Sequence, residues 1–441
     1  MMSETTNGAD LVVCKGCDFL MERREVAVGR RARCPRCGTV IHRAIGNSLE
    51  KTMALSLAGL ILFVPAITMP LMTFTVAGLH GSGNVLDAML TLFEKKYFFV
   101  GSMVSLVSVV FPLVKLSLLF ISSVSIATGR ISQLTVKTFR LYKHLSEWGM
   151  VEVYMLGILV SIIKMHSMAS IAYDTGFFCF IGLVLLTVGA STVVDEDYFW
   201  DRIEGVNVDH DNPHRGYPVD FAEAQTAREA GLVRCEDCGK ISSLVQVSGS
   251  EIRRCTRCLA ELHSRKSNSI NRTWALVIAA AILYLPANIL PIMQVDFMGT
   301  PEDSTILDGI IYFFQTGDYL VGSIILTASV LVPLFKIIGI IIILLSIHFR
   351  RRNWLKHKTG MFRFIEFVGR WSFIDIFVIA LLGAMVQFGS LTTIGADPAA
   401  RYFTAVVVTT MFAAVALDPR IIWDAAASPI ENEESKCLPP S

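Results

Sequence analysis

Charge is scarce in this chain. Asp, Glu, Lys and Arg make up 17% of its 441 residues, against roughly 25% in an ordinary soluble domain. The charges nearly cancel, leaving +1, so composition points to neither an acidic nor a basic macromolecular partner. No basic tract interleaved with aromatics is present, which leaves nucleic-acid binding without support. Also missing are a Walker-type lysine loop, an HExxH pair and a nucleophile elbow. His144, His166 and His348 are scattered and lack ligand spacing. With no catalytic set, the expectation is a protein that is not an enzyme. The first forty residues are polar and Arg-rich, without the apolar core of a cleavable signal peptide, so the N-terminus is expected in the cytosol.

Apolar length is what the chain has instead. It is 53% hydrophobic with a mean hydropathy of +0.54, and several stretches reach the ~20 apolar residues needed to cross a bilayer. The expected fold class is an all-α polytopic membrane protein. Candidate spans lie at about 53–74, 99–127, 149–167 and 176–194, then at 273–295, 320–348, 372–390 and 402–417.

A four-cysteine pattern precedes each set of spans. Cys14-x2-Cys17 is followed after sixteen residues by Cys34-x2-Cys37, and Cys235-x2-Cys238 after sixteen by Cys255-x2-Cys258. Every cysteine of the second set lies 221 residues beyond its counterpart. The offset persists downstream. Pro65 matches Pro286, Asp87 matches Asp308, Pro112 matches Pro333 and Lys115 matches Lys336. After a two-residue shift, Trp148 matches Trp371, Glu152 matches Asp375, and Trp200-Asp201 matches Trp423-Asp424. The chain is thus two tandem repeats, each a four-Cys zinc ribbon followed by a bundle of about four transmembrane helices. Its expected domains are a first zinc ribbon (1–46), a first transmembrane bundle (47–196), a polar linker (197–232), a second ribbon (233–265), a second bundle (266–425) and a disordered tail (426–441).

Basic residues cluster at 23–43, at 130–143 and at 350–358. The positive-inside rule assigns these to the cytoplasm, with both ribbons and both termini, and the loops at about 75–96 and 296–318 to the other side. Four spans per half make the repeats parallel.

The paired CxxC turns predict two closed tetrahedral sites for structural zinc, with iron or redox chemistry as the alternative. In modules this small, metal binding supplies much of the folding free energy. Arg33, Arg36, Arg253, Arg254 and Arg257 would temper the charge of the thiolates. Within the spans, Lys115 and Lys336 lie about 20 Å deep, where a lysine costs roughly 2.5–3.5 kcal/mol to insert. Pro112 and Pro333 sit three residues earlier, and each leaves a backbone carbonyl without its helical partner. A lysine stapling such a kink and a lysine facing a hydrated cavity are both open readings. Lys164 lies at similar depth in half one, where half two has Gln387. Glu152 and Asp375 lie near the cytoplasmic starts of their spans. Ser329, Ser372 and Thr410 are candidates to join Lys336 in a polar track, against the ordinary reading that such hydroxyls bond their own backbone.

The strings "LYLPANILPIM", "STILDGIIYFF", "VPLFKI" and "EFVGRWSFIDIFVIALL", with the ribbons in place, resemble the paraquat-inducible protein A family of PqiA-like and LetA-like inner-membrane proteins, over about 11–425. The resemblance implies a bacterial inner-membrane location. It implies transport of phospholipid or other lipophilic molecules to or from a periplasmic MCE-domain tunnel protein. It also implies that Lys336, Ser372 and Lys164 match positions that matter in the family, with Ser329 and Thr410 fitting less sharply. LetA-like members carry an acid three positions after the counterpart of Lys164, where this chain has Ser167. The expected function is therefore lipid transport, with proton movement at Lys336 as its coupling. The alternatives are a non-transporting scaffold for the tunnel protein and a metal- or redox-sensing membrane protein.

Overall fold

The structure, a computed structural model, describes residues 11–23, 26–76, 79–94, 98–146, 148–149, 151–165, 170–207, 225–243, 254–297, 300–374, 377–378, 392–396 and 398–426. Half one begins with two antiparallel hairpins, β1 (Leu11–Val13) with β2 (Leu20–Glu22) and β3 (Arg31–Arg33) with β4 (Val40–Arg43). The apolar helix α1 (Ser48–Thr68) follows, then strands β5 (Met72–Val76) and β6 (Leu79–Gly83) and the short helix α2 (Val85–Glu94). Helices α3 (Phe98–Ser105) and α4 (Phe111–Ala127) form one continuous span through a π-helical turn at Leu106–Val110. Next come α5 (Gln133–Ser146), α6 (Val151–Met165), β7 (Ser170–Tyr173), α7 (Thr175–Val193) and α8 (Glu196–Asn207).

Half two repeats the plan. Its elements are β8 (Leu232–Arg234), β9 (Ile241–Ser243), α9 (Ser269–Ile289), β10 (Met293–Phe297), β11 (Thr300–Ser304), α10 (Ile306–Gln315), α11 (Tyr319–Ile325), α12 (Val332–His348), α13 (Leu355–Gly369), β12 (Thr392–Ala396), α14 (Pro398–Ala416) and α15 (Arg420–Asp424). A π-helical turn at Leu326–Leu331 precedes α12, and a 3-10 turn at Arg370–Phe373 follows α13. Among the described residues, seven helical segments are long and apolar enough to cross a membrane. One of them, Gln133–Ile162, joins the more polar α5 to α6. Most of the eighth expected span, 372–390, lies outside the described residues, as do residues 208–224 of the linker and residues 427–441 of the tail.

The π turns have a local cause. Pro112 and Pro333 lack the N–H that would reach back four residues, and their rings clash with that carbonyl. The helix answers by widening one turn just upstream. The Phe111 N–H bonds to the Leu106 carbonyl and the Val332 N–H to the Thr327 carbonyl, five residues back rather than four. The spans that carry Lys115 and Lys336 therefore each have a wide turn before the lysine.

The loops expected opposite the ribbons carry more order than the sequence suggested. Strand β5 pairs with β6 on one side and β7 on the other, and β10 pairs likewise with β11 and β12. Each three-stranded antiparallel sheet ties the first loop of its half to the last. Helix α10 starts in a capping box, in which Thr305 and Asp308 bond each other's backbone N–H at 3.1 and 3.0 Å. In half one Asn84 Oδ1 accepts from the Asp87 N–H at 2.6 Å. The Asp87–Asp308 match is thus a helix-start feature.

The two bundles share one core. Tyr154 on α6 meets Phe377 edge-on at 5.0 Å, and Trp148 meets Phe412 at 5.2 Å. A Cβ added at Gly157 would come within 2.8 Å of the Phe377 Cβ. Glycine at that position permits the close approach of the halves.

Candidate functional site

Four copies of one turn build the two cysteine clusters. In each CxxC, the N–H of the first cysteine bonds to a carbonyl five residues on, and the residue after the second cysteine donates back to the first. That residue takes left-handed backbone in all four turns: Asp18 (φ 60°), Gly38 (74°), Gly239 (75°) and Leu259 (59°). The turn aims two sulfurs to one side, and two turns face each other. Cys14–Cys37 and Cys17–Cys34 are 3.5 Å apart at sulfur, as are Cys235–Cys258 and Cys238–Cys255. A disulfide would hold the sulfurs at about 2.05 Å. Four bonds of about 2.3 Å to a tetrahedral zinc would hold them near 3.8 Å. All eight side chains are buried. The Gly16 N–H reaches Cys14 Sγ at 3.4 Å and Thr39 Oγ1 lies 3.0 Å from Cys37 Sγ, orienting the donors as outer-shell partners do. Both clusters are arranged for a metal ion, and a set of four buried thiols suits a soft, closed site.

Each ribbon holds its own half, through His42–Asp197 in the first and Glu236–Arg420 in the second, and also sits crosswise on the other. The first is seated on half two, where Arg363 on α13 donates to the carbonyls of Gly38 (3.0 Å) and Cys37 (3.2 Å). The Arg36 guanidinium lies 4.6 Å from the Trp423 ring of α15, whose apolar body packs on the first cysteine cluster. The second ribbon is seated on half one, where Arg140 on α5 pairs with Asp237 at 2.6 Å. Lys143 donates to the Asp237 carbonyl at 2.6 Å, and His144 lies 3.4 Å from the carboxylate. Burial pushes the Asp237 carboxyl up, but His144 and Arg140 outweigh it and hold it below the usual carboxylate range. Arg140 and Arg363 are repeat counterparts, 223 residues apart. Helix α8 serves both ribbons: Asp201 takes Arg23 of the first (3.2 Å) and Arg257 of the second (3.1 Å), while Glu204 takes Lys240 (2.5 Å) and Arg257.

The deep lysines differ between halves. Lys115 donates to Ser191 Oγ at 3.1 Å. The counterpart of Ser191 in half two is Ala414. Lys336 is fully buried at 0% exposure, and its Nζ has no hydrogen-bond partner among the described residues. Its ammonium end lies against Gly369, where a Cβ would stand 3.7 Å from both Cε and Nζ. Ser372, three residues on, is buried with its Oγ likewise without a partner among the described residues. Ser329, on the π turn, donates to the Ile325 carbonyl at 2.7 Å, and Thr410, on α14, to the Val407 carbonyl at 2.9 Å. These two hydroxyls are satisfied by their own helices. Glu152 opens α6 half-buried, and no ion pair to it occurs among the described residues. Asp375, Gln387, Ser167 and the side chain of Lys164 lie outside the described residues.

The seats themselves escape sequence reasoning. Arg140, Asp237 and Arg363 each resemble ordinary solvated charges when read singly. One signal was available in the repeated Trp-Asp pair. Asp201 and Asp424 of that pair are both ribbon-gripping acids, the latter holding Arg265 at 2.7 Å.

The sequence profile described as "Paraquat-inducible protein A" matches residues 49–204 and 270–427. Over 436 residues, the chain is 33% identical to "Intermembrane transport protein PqiA" of Escherichia coli (strain K12), covering 98% of this chain and all of that one. It is 30% identical over 417 residues to "Lipophilic envelope-spanning tunnel protein A" of the same organism, covering 94% and 91%. A "Probable intermembrane transport protein" of Haemophilus influenzae is 26% identical over 417 residues, 94% of this chain and 95% of its own. No solved structure matches. The profile falls on both halves of a multi-pass membrane chain, outside the metal-binding ribbons, and the relatives align from end to end: the chain belongs to the paraquat-inducible protein A family.

Proposed function

We propose that this chain is the inner-membrane subunit of an envelope lipid transport system. It would pass phospholipid or another lipophilic molecule to or from a periplasmic MCE-domain tunnel protein, without catalysing a reaction. The ribbons would lie in the cytoplasm, each holding one structural zinc. The observation that carries the reading is Lys336, an amine wholly buried at bilayer depth with no protein partner among the described residues, with a second unpartnered group at Ser372, three residues beyond the Gly369 it lies against. A polar group in such a place is expensive unless something answers it. A passing headgroup phosphate or a change of protonation would do so, and the latter would couple transit to an ion gradient. The names of the full-length relatives, intermembrane transport and envelope-spanning tunnel, support the direction of this reading.

The test has two parts. Full-length protein purified in mild detergent is expected to carry phospholipid and an MCE-domain protein, both identified by mass spectrometry. Lys336→Ala is then expected to keep its metal and its partner while losing lipid transfer from labelled membrane vesicles to that partner. Normal transfer by Lys336→Ala sinks the coupling role, and a chain free of both lipid and partner sinks the transport reading.

A further inference from the structure

The segment joining α12 to α13 departs from its counterpart in half one in composition, length and backbone. Half one turns at Gly129, a glycine in left-handed conformation (φ 68°), and carries Arg130 and Lys137 nearby. Half two places Arg350 at the same step (φ 48°) and adds two residues, including Trp354 at φ 66°. Left-handed backbone is costly for any residue with a Cβ, and most of all for a bulky one. Glycine would relieve both positions, so large side chains are held there against local preference. Strain of this kind is a pointer to function.

The side chains are of one kind. Arg350, Arg351, Arg352, Lys356 and Lys358 lie within nine residues that contain no acid. No carboxylate pairs with any of them among the described residues. Phe349 and Trp354 stand out at 65% and 73% exposure. Lys358 Nζ donates to the Arg351 carbonyl at 2.8 Å and Trp354 packs on His357 at 5.1 Å, so the segment is folded rather than loose. Burial, and after it the charge of Arg351, push the Lys358 pKa down.

We propose that the 349–358 segment is a docking site for the headgroups of anionic phospholipids in the leaflet at the ribbon end of the bundle. The cations supply attraction to the negative surface, while Phe349 and Trp354 seat in the interfacial zone that aromatic rings favour. A soluble acidic protein would also answer the charge, but it would not account for two exposed aromatics at the end of a membrane-spanning helix. The site belongs to half two alone. Helix α12, which ends in it, carries Lys336, and α13, which leaves it, ends at Gly369 against that lysine. A headgroup held here sits at one end of the helix pair that encloses the deep amine. The proposal rests on the chain spanning a membrane and is independent of whether it transports lipid.

The test is native mass spectrometry of the full-length, metal-loaded protein titrated with equal phosphatidylglycerol and phosphatidylcholine. Each cation near an anionic surface is worth about fivefold in binding. The triple variant Arg350→Gln, Arg351→Gln, Arg352→Gln is therefore expected to retain phosphatidylglycerol about a hundredfold less well, with phosphatidylcholine unchanged. Arg350→Gly suits the left-handed backbone and removes one charge, so it is expected to lose about fivefold while keeping full metal content. Arg130→Gln with Lys137→Gln, in half one, is expected to lose nothing of that size. Equal retention of phosphatidylglycerol by wild type and Arg350→Gly overturns the proposal, as does equal loss from the half-one variant. So does displacement of the lipid by millimolar inorganic phosphate, which would mean that the segment binds a free anion rather than a headgroup in a bilayer.

Discussion

Replacing Arg363 with alanine should unseat the first ribbon and leave the second in place. The guanidinium gives two charged hydrogen bonds, at 3.0 and 3.2 Å, to carbonyls of the second knuckle of ribbon one. Bonds from a charged group are worth about 1.5–3 kcal/mol each in net terms. Arg363 is partly exposed, and solvent screening discounts the sum of two such bonds, so we take about 2 kcal/mol for the pair, or about 30-fold in the docked-to-undocked ratio. Cys14, Cys17 and Cys37 are at 0% exposure and Cys34 at 2%, so alkylation of any of them requires opening. In the full-length, metal-loaded protein, Arg363→Ala should speed alkylation of these four by about 30-fold, read peptide by peptide. Cys235, Cys238, Cys255 and Cys258 should keep their wild-type rates. Arg140→Ala, the repeat counterpart, should do the reverse by breaking the grip on Asp237. If Arg363→Ala loosened the ribbon that follows half one, or both ribbons equally, the crosswise seating would be refuted.

Two further expectations concern the ribbons and the joint beneath them. The wild-type chain should hold two metal ions, and Cys17→Ser or Cys238→Ser should each hold one, measured by elemental analysis; zinc leaves the protein colourless, whereas a ferric tetrathiolate would colour it red. Burial pushes the Asp418 carboxyl up, but the Arg420 guanidinium bonded to it at 2.8 Å outweighs burial and holds it below its ordinary range. A pKa depressed on folding adds stability in full above the unfolded carboxylate value of about 3.9, and that stability is lost as pH falls through the folded value. The gap in thermal midpoint between wild type and Asp418→Asn should therefore be widest at neutral pH and close below about pH 4; a gap that does not narrow would show that the carboxylate is not the source.

The cysteine clusters were legible because their chemistry is local. A CxxC turn, sixteen residues and a second CxxC turn constrain four sulfurs whatever the rest of the chain does. The spans were legible because a bilayer demands apolar length. Pro112 and Pro333 announced a disturbed carbonyl, although not that a π turn would absorb it. The crosswise seats were not legible, since they join charges far apart in the chain, each unremarkable beside its sequence neighbours. Nor were the three-stranded sheets. Segments such as Leu79–Gly83 are short, polar and glycine-rich, and become strands only because β5 and β7 return to the same end of the bundle. Nor was the unpartnered state of Lys336 legible: half two has Ala414 where half one has Ser191, but that this hydroxyl answers Lys115 is set by tertiary contact alone.

Crosswise seating also fixes an order of assembly during synthesis. The second ribbon emerges after its seat, with Lys143 and Asp237 only 94 residues apart. The first ribbon emerges long before its own, since Cys37 precedes Arg363 by 326 residues. At about 5–20 residues per second, that interval lasts roughly 16–65 s. Throughout it the first ribbon has its half-one contacts, Arg23 with Asp201 and His42 with Asp197, but not its seat on α13. A ribosome that stalls between the halves would therefore leave a nascent chain whose earliest module is only half docked, a distinctive target for membrane quality control.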